Sequence, residues 1–281
     1  LYTYLTLPTK KQAEDVKINF EETTNDLLKR IDIHSRYGAK DIDQWMLEIL
    51  DLKPGITILD IGCGAGKQCF SFHQYLNGQA HIMGTDVSES LLAQARIENE
   101  KIGSPVDFRL LDFNQPFNLP SDHFDLISAC FAIYYAQDIP FTLSEMQRVL
   151  KPGGRLFTTG PMPENKRIFY EIVEEATGKP IPPMPGSSRY DSQIFSTMQL
   201  LFSKAEKHIF ENPLTFTEVD PFMVYTRASM SEDRKLWNSL FQTHEEFENV
   251  MTQIEKIASQ RLAREGQLVM TKVVGGFIAT K

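Results

Sequence analysis

Apolar positions along this chain recur with two periods, near four and near two, and the alternation between them lays out a succession of helices and strands. Residues 11–34 are polar and charged with apolar insertions, the pattern of an N-terminal helix. From Ile42 the pattern sharpens. Ile42, Trp45, Met46 and Ile49 fall at i, i+3, i+4 and i+7, on one face of a helix. Pro54-Gly55 closes that helix and introduces a short strand, Thr57–Ile61. A glycine-rich turn follows at once, then a helix predicted from about Gly66 to Leu76. A second strand is predicted over His81–Thr85, with Ser88 placed to cap a helix from Glu89. Val106–Leu111 reads as a third strand and Phe124–Ser128 as a fourth. Leu143–Leu150 reads as helix, Pro152-Gly153-Gly154 as a hard turn and Arg155–Thr159 as a fifth strand. Strands and helices alternating at this rhythm predict an α/β fold, with a mostly parallel sheet covered on both faces and right-handed connections.

The rhythm then breaks. Glu164–Thr177 reads as a charged helix, and KPIPPMPG at 179–186 as a stiff, extended connection, because proline cannot donate to a helix or sheet ladder. A sixth strand is predicted at Lys204–Phe210. Helical patterns return over Phe216–Met230, Arg234–Phe241 and Glu245–Arg264, and a last strand runs over Leu268–Thr280. The economical organisation is one α/β core with a helical cap. Residues 1–40 would supply N-terminal cap or lid helices and 41–160 the cofactor-binding core. Residues 161–200 would be an inserted cap, and 201–281 the remaining strands with cap helices at about 216–265.

Composition changes this picture little. The chain has 281 residues, 42% of them apolar, enough for a continuous core. Its net charge is -8, from 29 basic and 37 acidic side chains, and the basic residues are scattered rather than gathered into a tract, so no nucleic-acid partner is expected. Cys63, Cys69 and Cys130 match neither a disulfide framework nor a common zinc spacing, so no metal is expected and a cytoplasmic location fits best. No run of eighteen apolar residues predicts a membrane span, and LYTYLTLP lacks the charged start and long apolar segment of a signal peptide.

The sharpest chemical signal is ILDIGCGAGKQCF, residues 58–70. A strand runs into Gly62, Cys63, Gly64, Ala65 and Gly66, and a helix starts after them. Glycines there permit strained turn angles and a close approach of backbone to ligand. Asp86 ends the next strand, where a carboxylate can accept from both hydroxyls of a ribose; its other role would be to stabilise the helix start that follows. Asp112, at the end of the third strand, could accept from an adenine amino group while Phe113 supplies an apolar wall. Together these groups sit at successive strand ends, where a doubly wound sheet opens its crevice. A nicotinamide dehydrogenase stays open on this pattern. A P-loop does not, because no Gly-Lys-Ser or Gly-Lys-Thr follows.

With ILDIGCGAGK at 58–67, GTDVSESLLAQAR at 84–96, LLDFNQPFNLPSDHFDLISACFAIYY at 110–135 and EMQRVLKPGGRLF at 145–157, the chain resembles the class I S-adenosylmethionine-dependent methyltransferases. Within them it looks most like the small-molecule group that includes the ubiquinone and menaquinone methyltransferases. The resemblance covers about Asp41 to Thr159. It implies a doubly wound Rossmann-like sheet of seven strands with an antiparallel last strand, S-adenosyl-L-methionine as cofactor and S-adenosyl-L-homocysteine as product. It also implies roles for single residues. Gly62, Cys63, Gly64 and Gly66 would form the turn under the methionine part, and Asp60 would order this region and reach the methionine amino group. Asp86 would grip the ribose, with Val87 near the adenine, and Asp112 and Phe113 would hold the adenine. Cys130 would lie near the methionine end or the reacting face. Where the family often carries a histidine or another polar pair, this chain has Tyr134 and Tyr135, which departs from the pattern at the position of a catalytic base.

Transfer from a sulfonium needs an in-line nucleophile and exclusion of solvent, and a base only when the acceptor must lose a proton. Tyr134 and Tyr135, just after the fourth strand, are candidates to line or hydrogen-bond a small-molecule acceptor. His34 is the candidate base from the N-terminal region. Arg189, Tyr190 and Arg227 could read an acidic acceptor. Phe216, Phe222, Tyr225 and Trp237 read better as core packing than as acceptor contacts. The leading expectation is methyl transfer to oxygen, nitrogen or carbon of a small metabolite. The alternatives are a methyltransferase acting on protein or another macromolecule, and a noncatalytic protein that binds the cofactor.

Overall fold

A computed structural model describes residues 24–182, 185–229, 240 and 243–281. The first part of the predicted helix over 11–34, most of the predicted helix Arg234–Phe241, and Trp237 lie outside the described residues.

Seven strands form one sheet in the order β3-β2-β1-β4-β5-β7-β6. They are β1 (Ile56–Ile61), β2 (Ala80–Asp86), β3 (Asp107–Leu110), β4 (Phe124–Cys130), β5 (Leu150–Pro161), β6 (Lys204–Phe216) and β7 (Leu268–Thr280). β1 pairs in parallel with β2 and β4, β2 with β3, and β4 with β5. β7 runs antiparallel to β5, as expected of the last strand.

The strands' two-residue period explains why both faces are covered. Ile58, Leu126, Phe157 and Ile278 join a cluster with Met46, Leu50 and Phe72, from helices Ile42–Leu50 and Lys67–Tyr75. Their neighbours Leu59, Ile127, Leu156 and Phe277 join the opposite cluster, with Leu143 and Met146 from helix Ile139–Val149 and Met198 from helix Phe195–Leu201.

Several boundaries differ from expectation for identifiable reasons. β5 starts at Leu150, because Pro152-Gly153-Gly154 lies in a register shift inside the strand rather than ahead of it. β6 continues past Phe210 to Phe216, so Phe216 ends a strand and the next helix is Val219–Ala228. Burial of Phe210, Asn212, Leu214 and Phe216 keeps the period of two, and Pro213 is tolerated because β6 is the outermost strand. The helix before β5 begins at Ile139, earlier than predicted, with the Asp138 side chain accepting from the Phe141 amide at 2.9 Å. The proline-rich stretch ends in a short helix, Pro185–Arg189, rather than staying extended: proline is compatible with a first helical turn.

The chain divides into two compact units. The sheet unit holds Asp41–Pro163, Pro185–Phe210 and Val273–Lys281. The helical unit holds the described residues of Leu1–Lys40, Glu164–Met184 and Glu211–Lys272. Residues 161–200 are thus shared between the two. In the helical unit, helices Thr24–Tyr37, Arg167–Thr177, Val219–Ala228 and His244–Glu265 pack around Phe169, Phe216, Phe222, Tyr225 and Met251. The last of these helices opens on a capping box between Thr243 and Glu246 and stops at Gly266 in the left-handed region. Among the described residues, no helix is long and apolar enough to cross a membrane.

Candidate functional site

All the residues expected to hold a nucleotide stand at the carboxyl ends of β1 to β4. The turn after β1 is drawn tight by the backbone: the Cys63 amide donates to the Thr85 carbonyl at 2.9 Å, and the Gly66 amide to the Cys63 carbonyl at 2.9 Å. Gly62, Gly64 and Gly66 take φ of 69°, 55° and 85°, a region side chains disfavour. Two of the three glycines are also sterically required. A Cβ on Gly62 would lie 2.5 Å from the Ala132 Cβ, and one on Gly66 2.9 Å from the Phe108 ring. A Cβ on Gly64 would meet nothing within 4 Å, so there the bare backbone faces open space.

Asp86 joins this turn to β2. One carboxylate oxygen accepts from the Gly64 amide at 2.9 Å and the other from the Ser88 amide at 2.8 Å. The helix-start role and a place beside the glycine turn therefore coincide in one side chain. Val87, next in sequence, is 68% exposed at the same edge. After β3, the Asp112 Oδ1 accepts from the Asn114 amide at 2.9 Å and from its side-chain nitrogen at 3.0 Å. Phe113 is half-buried and packs against the sheet core. Asn114 then accepts from the Gln137 amide at 2.8 Å. Sequence reading passed over Asn114; its signal was the Asp-Phe-Asn spacing that lets one side chain cap its neighbour's turn.

Beneath the turn, Asp60 is 1% exposed. Burial pushes its carboxyl up to about 7, against hydrogen bonds from Ser128 and Cys69, and the nearby Asp86 charge adds to the rise. The Cys69 thiol donates to Asp60 at 3.4 Å. Its partner Cys63, burial and the Asp60 charge all hold the Cys69 thiol well above its ordinary range. Cys130, at the end of β4, contacts Ser128 at 3.3 Å, and desolvation of its sulphur together with Asp60 pushes it up to about 12. Cys69 and Cys130 are thus neutral thiols near pH 7, poor nucleophiles that serve as packing and weak donors.

The turn after β4 is the aromatic part of this edge. Phe131 is 40% exposed and takes φ of 55°, which costs a non-glycine residue about 1–2 kcal/mol. Ile133–Tyr135 form a single 3-10 turn. The Tyr134 and Tyr135 rings lie 4.7 Å apart, and Tyr135 is 69% exposed. Arg189 and Tyr190, expected as acceptor readers, are already engaged. Arg189 donates to the carbonyls of Tyr134 and Ala136, and Tyr190 is fully buried against Phe277.

His34 belongs to the helical unit. It is half-buried on helix Thr24–Tyr37, with its ring 5.8 Å from that of Tyr225. Arg227 forms a two-pronged ion pair with Glu248 at 3.2 and 2.9 Å on the surface of the same unit, which explains it without a ligand. Phe216, Phe222 and Tyr225 are core, as expected.

Residues 52–189 match a family described as a methyltransferase domain. Over 119 residues the chain is 30% identical to a nocamycin O-methyltransferase of Saccharothrix syringae, covering 42% of each protein. Over 106 residues it is 35% identical to a 2-phytyl-1,4-naphthoquinone methyltransferase of Synechococcus elongatus, covering 37% of this chain and 45% of that one. The matched stretch thus spans less than half the length of these curated relatives. The YcgJ protein of Bacillus subtilis shares the fold, with a TM-score of 0.56 at 14% identity, covering 85% of this chain and 97% of that one.

Proposed function

We propose that this chain, whose residues 52–189 match a methyltransferase-domain family, is an S-adenosylmethionine-dependent methyltransferase that transfers a methyl group to oxygen, nitrogen or carbon of a small metabolite. The observation that carries this reading is the pair of carboxylates, Asp86 and Asp112, at the ends of β2 and β3, on the same sheet edge as a glycine turn whose middle glycine borders open space. That set fits the cofactor. Each Asp86 oxygen keeps a second lone pair after serving one backbone amide, and Asp112 accepts its two bonds from Asn114 at Oδ1 alone, so Asp86 can still accept from ribose hydroxyls and Asp112 from an adenine amino group at Oδ2. Val87 and Phe113 offer apolar contact to the base, and the Gly64 backbone admits the methionine part. Asp60 is buried in β1 two residues before this turn and orders it from beneath.

S-adenosylmethionine, when bound, supplies an activated methyl on a sulfonium, so no protein nucleophile is needed. The residues of the sheet unit position and enclose. The glycine turn and Asp86 fix the cofactor end, and Tyr134, Tyr135 and Phe131 present an aromatic wall to the acceptor and keep water from competing. The phenol of Tyr135 can hold a polar atom of the acceptor by a hydrogen bond. Holding two reactants in line accounts for much of such an acceleration, with electrostatics supplying the rest. The similarity to a nocamycin O-methyltransferase and a naphthoquinone methyltransferase supports a small-molecule acceptor. Three cysteines without a disulfide among them support a cytoplasmic location.

The test is incubation of the purified protein with cofactor carrying an isotopically labelled methyl and a metabolite extract, read by mass spectrometry against a boiled control. A labelled small molecule is expected. Label on protein alone, or no label in an extract that other methyltransferases do label, would overturn the small-metabolite reading.

A further inference from the structure

Resting on the reading that Tyr134 and Tyr135 face the acceptor, we propose that Arg189 and Tyr190 are positioning residues that hold the turn after β4 in place for the acceptor. The 3-10 turn closes on itself through the Tyr135 amide to the Ala132 carbonyl and the Ala136 amide to the Ile133 carbonyl, both at 3.0 Å. Those bonds leave the carbonyls of Tyr134 and Ala136 to be satisfied from outside. One guanidinium takes both. Arg189 Nη1 donates to the Tyr134 carbonyl at 2.9 Å and Nη2 to the Ala136 carbonyl at 2.7 Å. A planar fork with two donors at fixed spacing sets the orientation of the turn as well as its distance, which a single ammonium cannot do.

Tyr190 anchors this fork to the sheet. Its ring stacks on Phe277 at 4.3 Å and 8°, and stands edge-on to Tyr134 at 6.3 Å and 86°. Its hydroxyl donates to a backbone carbonyl, that of Thr158 at 2.9 Å or of Gly275 at 3.1 Å, and lies 3.0 Å from the Thr158 hydroxyl. Gly160 and Gly275 make room for the ring: a Cβ on either would come within 2.6 or 3.0 Å of it. Tyr190 also opens a five-residue π turn, Tyr190–Ile194, an irregularity that recurs at functional sites. From the other side, Asn114 ties Gln137 to Asp112. The acceptor-facing turn is therefore set by a segment more than fifty residues later in the chain, while the glycine turn is set by its own backbone and Asp86.

Arg189→Lys keeps the charge and loses the fork. Hydrogen exchange followed by mass spectrometry on this variant is expected to speed exchange in peptides covering 132–137 by about tenfold or more, with peptides covering 62–66 and 86–88 unchanged. Binding of S-adenosylhomocysteine by calorimetry should stay within about twofold. With the acceptor found by the labelled-methyl screen, its KM should rise about tenfold, and kcat should change less. Tyr190→Phe, which keeps the stack, should loosen the same peptides less than Arg189→Lys does. Should Arg189→Lys fail to fold, wild-type exchange decides: residues 133–137 must be protected far beyond an exposed loop. The proposal falls if these residues exchange at loop rates in the wild type, or if Arg189→Lys leaves both their exchange and the acceptor KM within twofold. Absence of methyl transfer by the wild type would instead remove the proposed function, and the acceptor role with it, while exchange still decides what holds the turn.

Discussion

Two turns at the same edge of the sheet are built in opposite ways. The turn after β1 draws on its own residues and the neighbouring strand: three glycines with positive φ, one backbone hydrogen bond within the turn, and the Thr85 carbonyl and Asp86 carboxylate of β2. The turn after β4 has no glycine. It accepts a strained Phe131 and depends on Thr159 of the adjacent strand, on Asn114, and on Arg189 and Tyr190 from more than fifty residues later in the chain. A turn that must fit one invariant ligand can be encoded by its own residues. A turn that faces a variable acceptor can be re-aimed by changing its distant supports and leaving the cofactor end alone. Gly62 against Ala132 is where the two meet.

That meeting point should be the most sensitive to change. Gly62→Ala sets a Cβ 2.5 Å from the Ala132 Cβ at a φ of 69°. A loss of several kcal/mol is expected from overpacking and strain together, read by urea unfolding and by lost cofactor binding. A near-wild-type midpoint would mean that Gly62 and Ala132 do not pack as closely as this.

Asp60 offers the next largest effect, and its sign is definite. Its carboxyl is pushed up to about 7 when folded and lies near 3.8 when exposed. The folded state therefore holds the proton more tightly, and this contribution to stability is full below about pH 4 and lost as pH rises through about 7. A difference of that size is of the order of 4 kcal/mol. Asp60→Asn should flatten the stability profile between those limits and gain on the wild type at pH 8, as measured by denaturant titration at a series of pH values.

Asp86→Ala removes the acceptor of two backbone amides and is expected to cost about 1–3 kcal/mol in the apoprotein. Its effect on cofactor affinity should be larger than its effect on the acceptor turn. Gly64→Ala should matter least to folding, about 1–2 kcal/mol from its φ of 55°. Yet its methyl would enter the open space at the turn, so cofactor affinity should fall by more than stability does. Equal losses in both would argue that this space is not the binding cradle.

How much of this was legible in sequence follows the same contrast. The ILDIGCGAG run showed strand and turn because a short, largely apolar run ends directly in glycines. Asp86 was legible because it ends the next apolar run, and the last strand because Leu268–Thr280 carries its own strand signal. The supports of the other turn were not. Arg189 follows a proline-rich stretch that reads as a linker, and nothing local says that its guanidinium reaches two carbonyls over fifty residues earlier. Tyr190 reads in sequence as a residue that could contact an acidic acceptor; its complete burial on Phe277 comes from β7, which arrives late in the chain. The continuation of β6 was hidden by Pro213, which is acceptable only because that strand stands at the edge of the sheet.

The most direct test of the strand-end assignment is calorimetric binding of S-adenosylhomocysteine to the wild-type protein and to Asp86→Ala. One site per chain is expected, weakened by about a hundredfold in the variant, the loss of roughly two hydrogen bonds to a charged acceptor. No binding by the wild type, or equal binding by both proteins, would contradict the placement of the cofactor at this edge of the sheet.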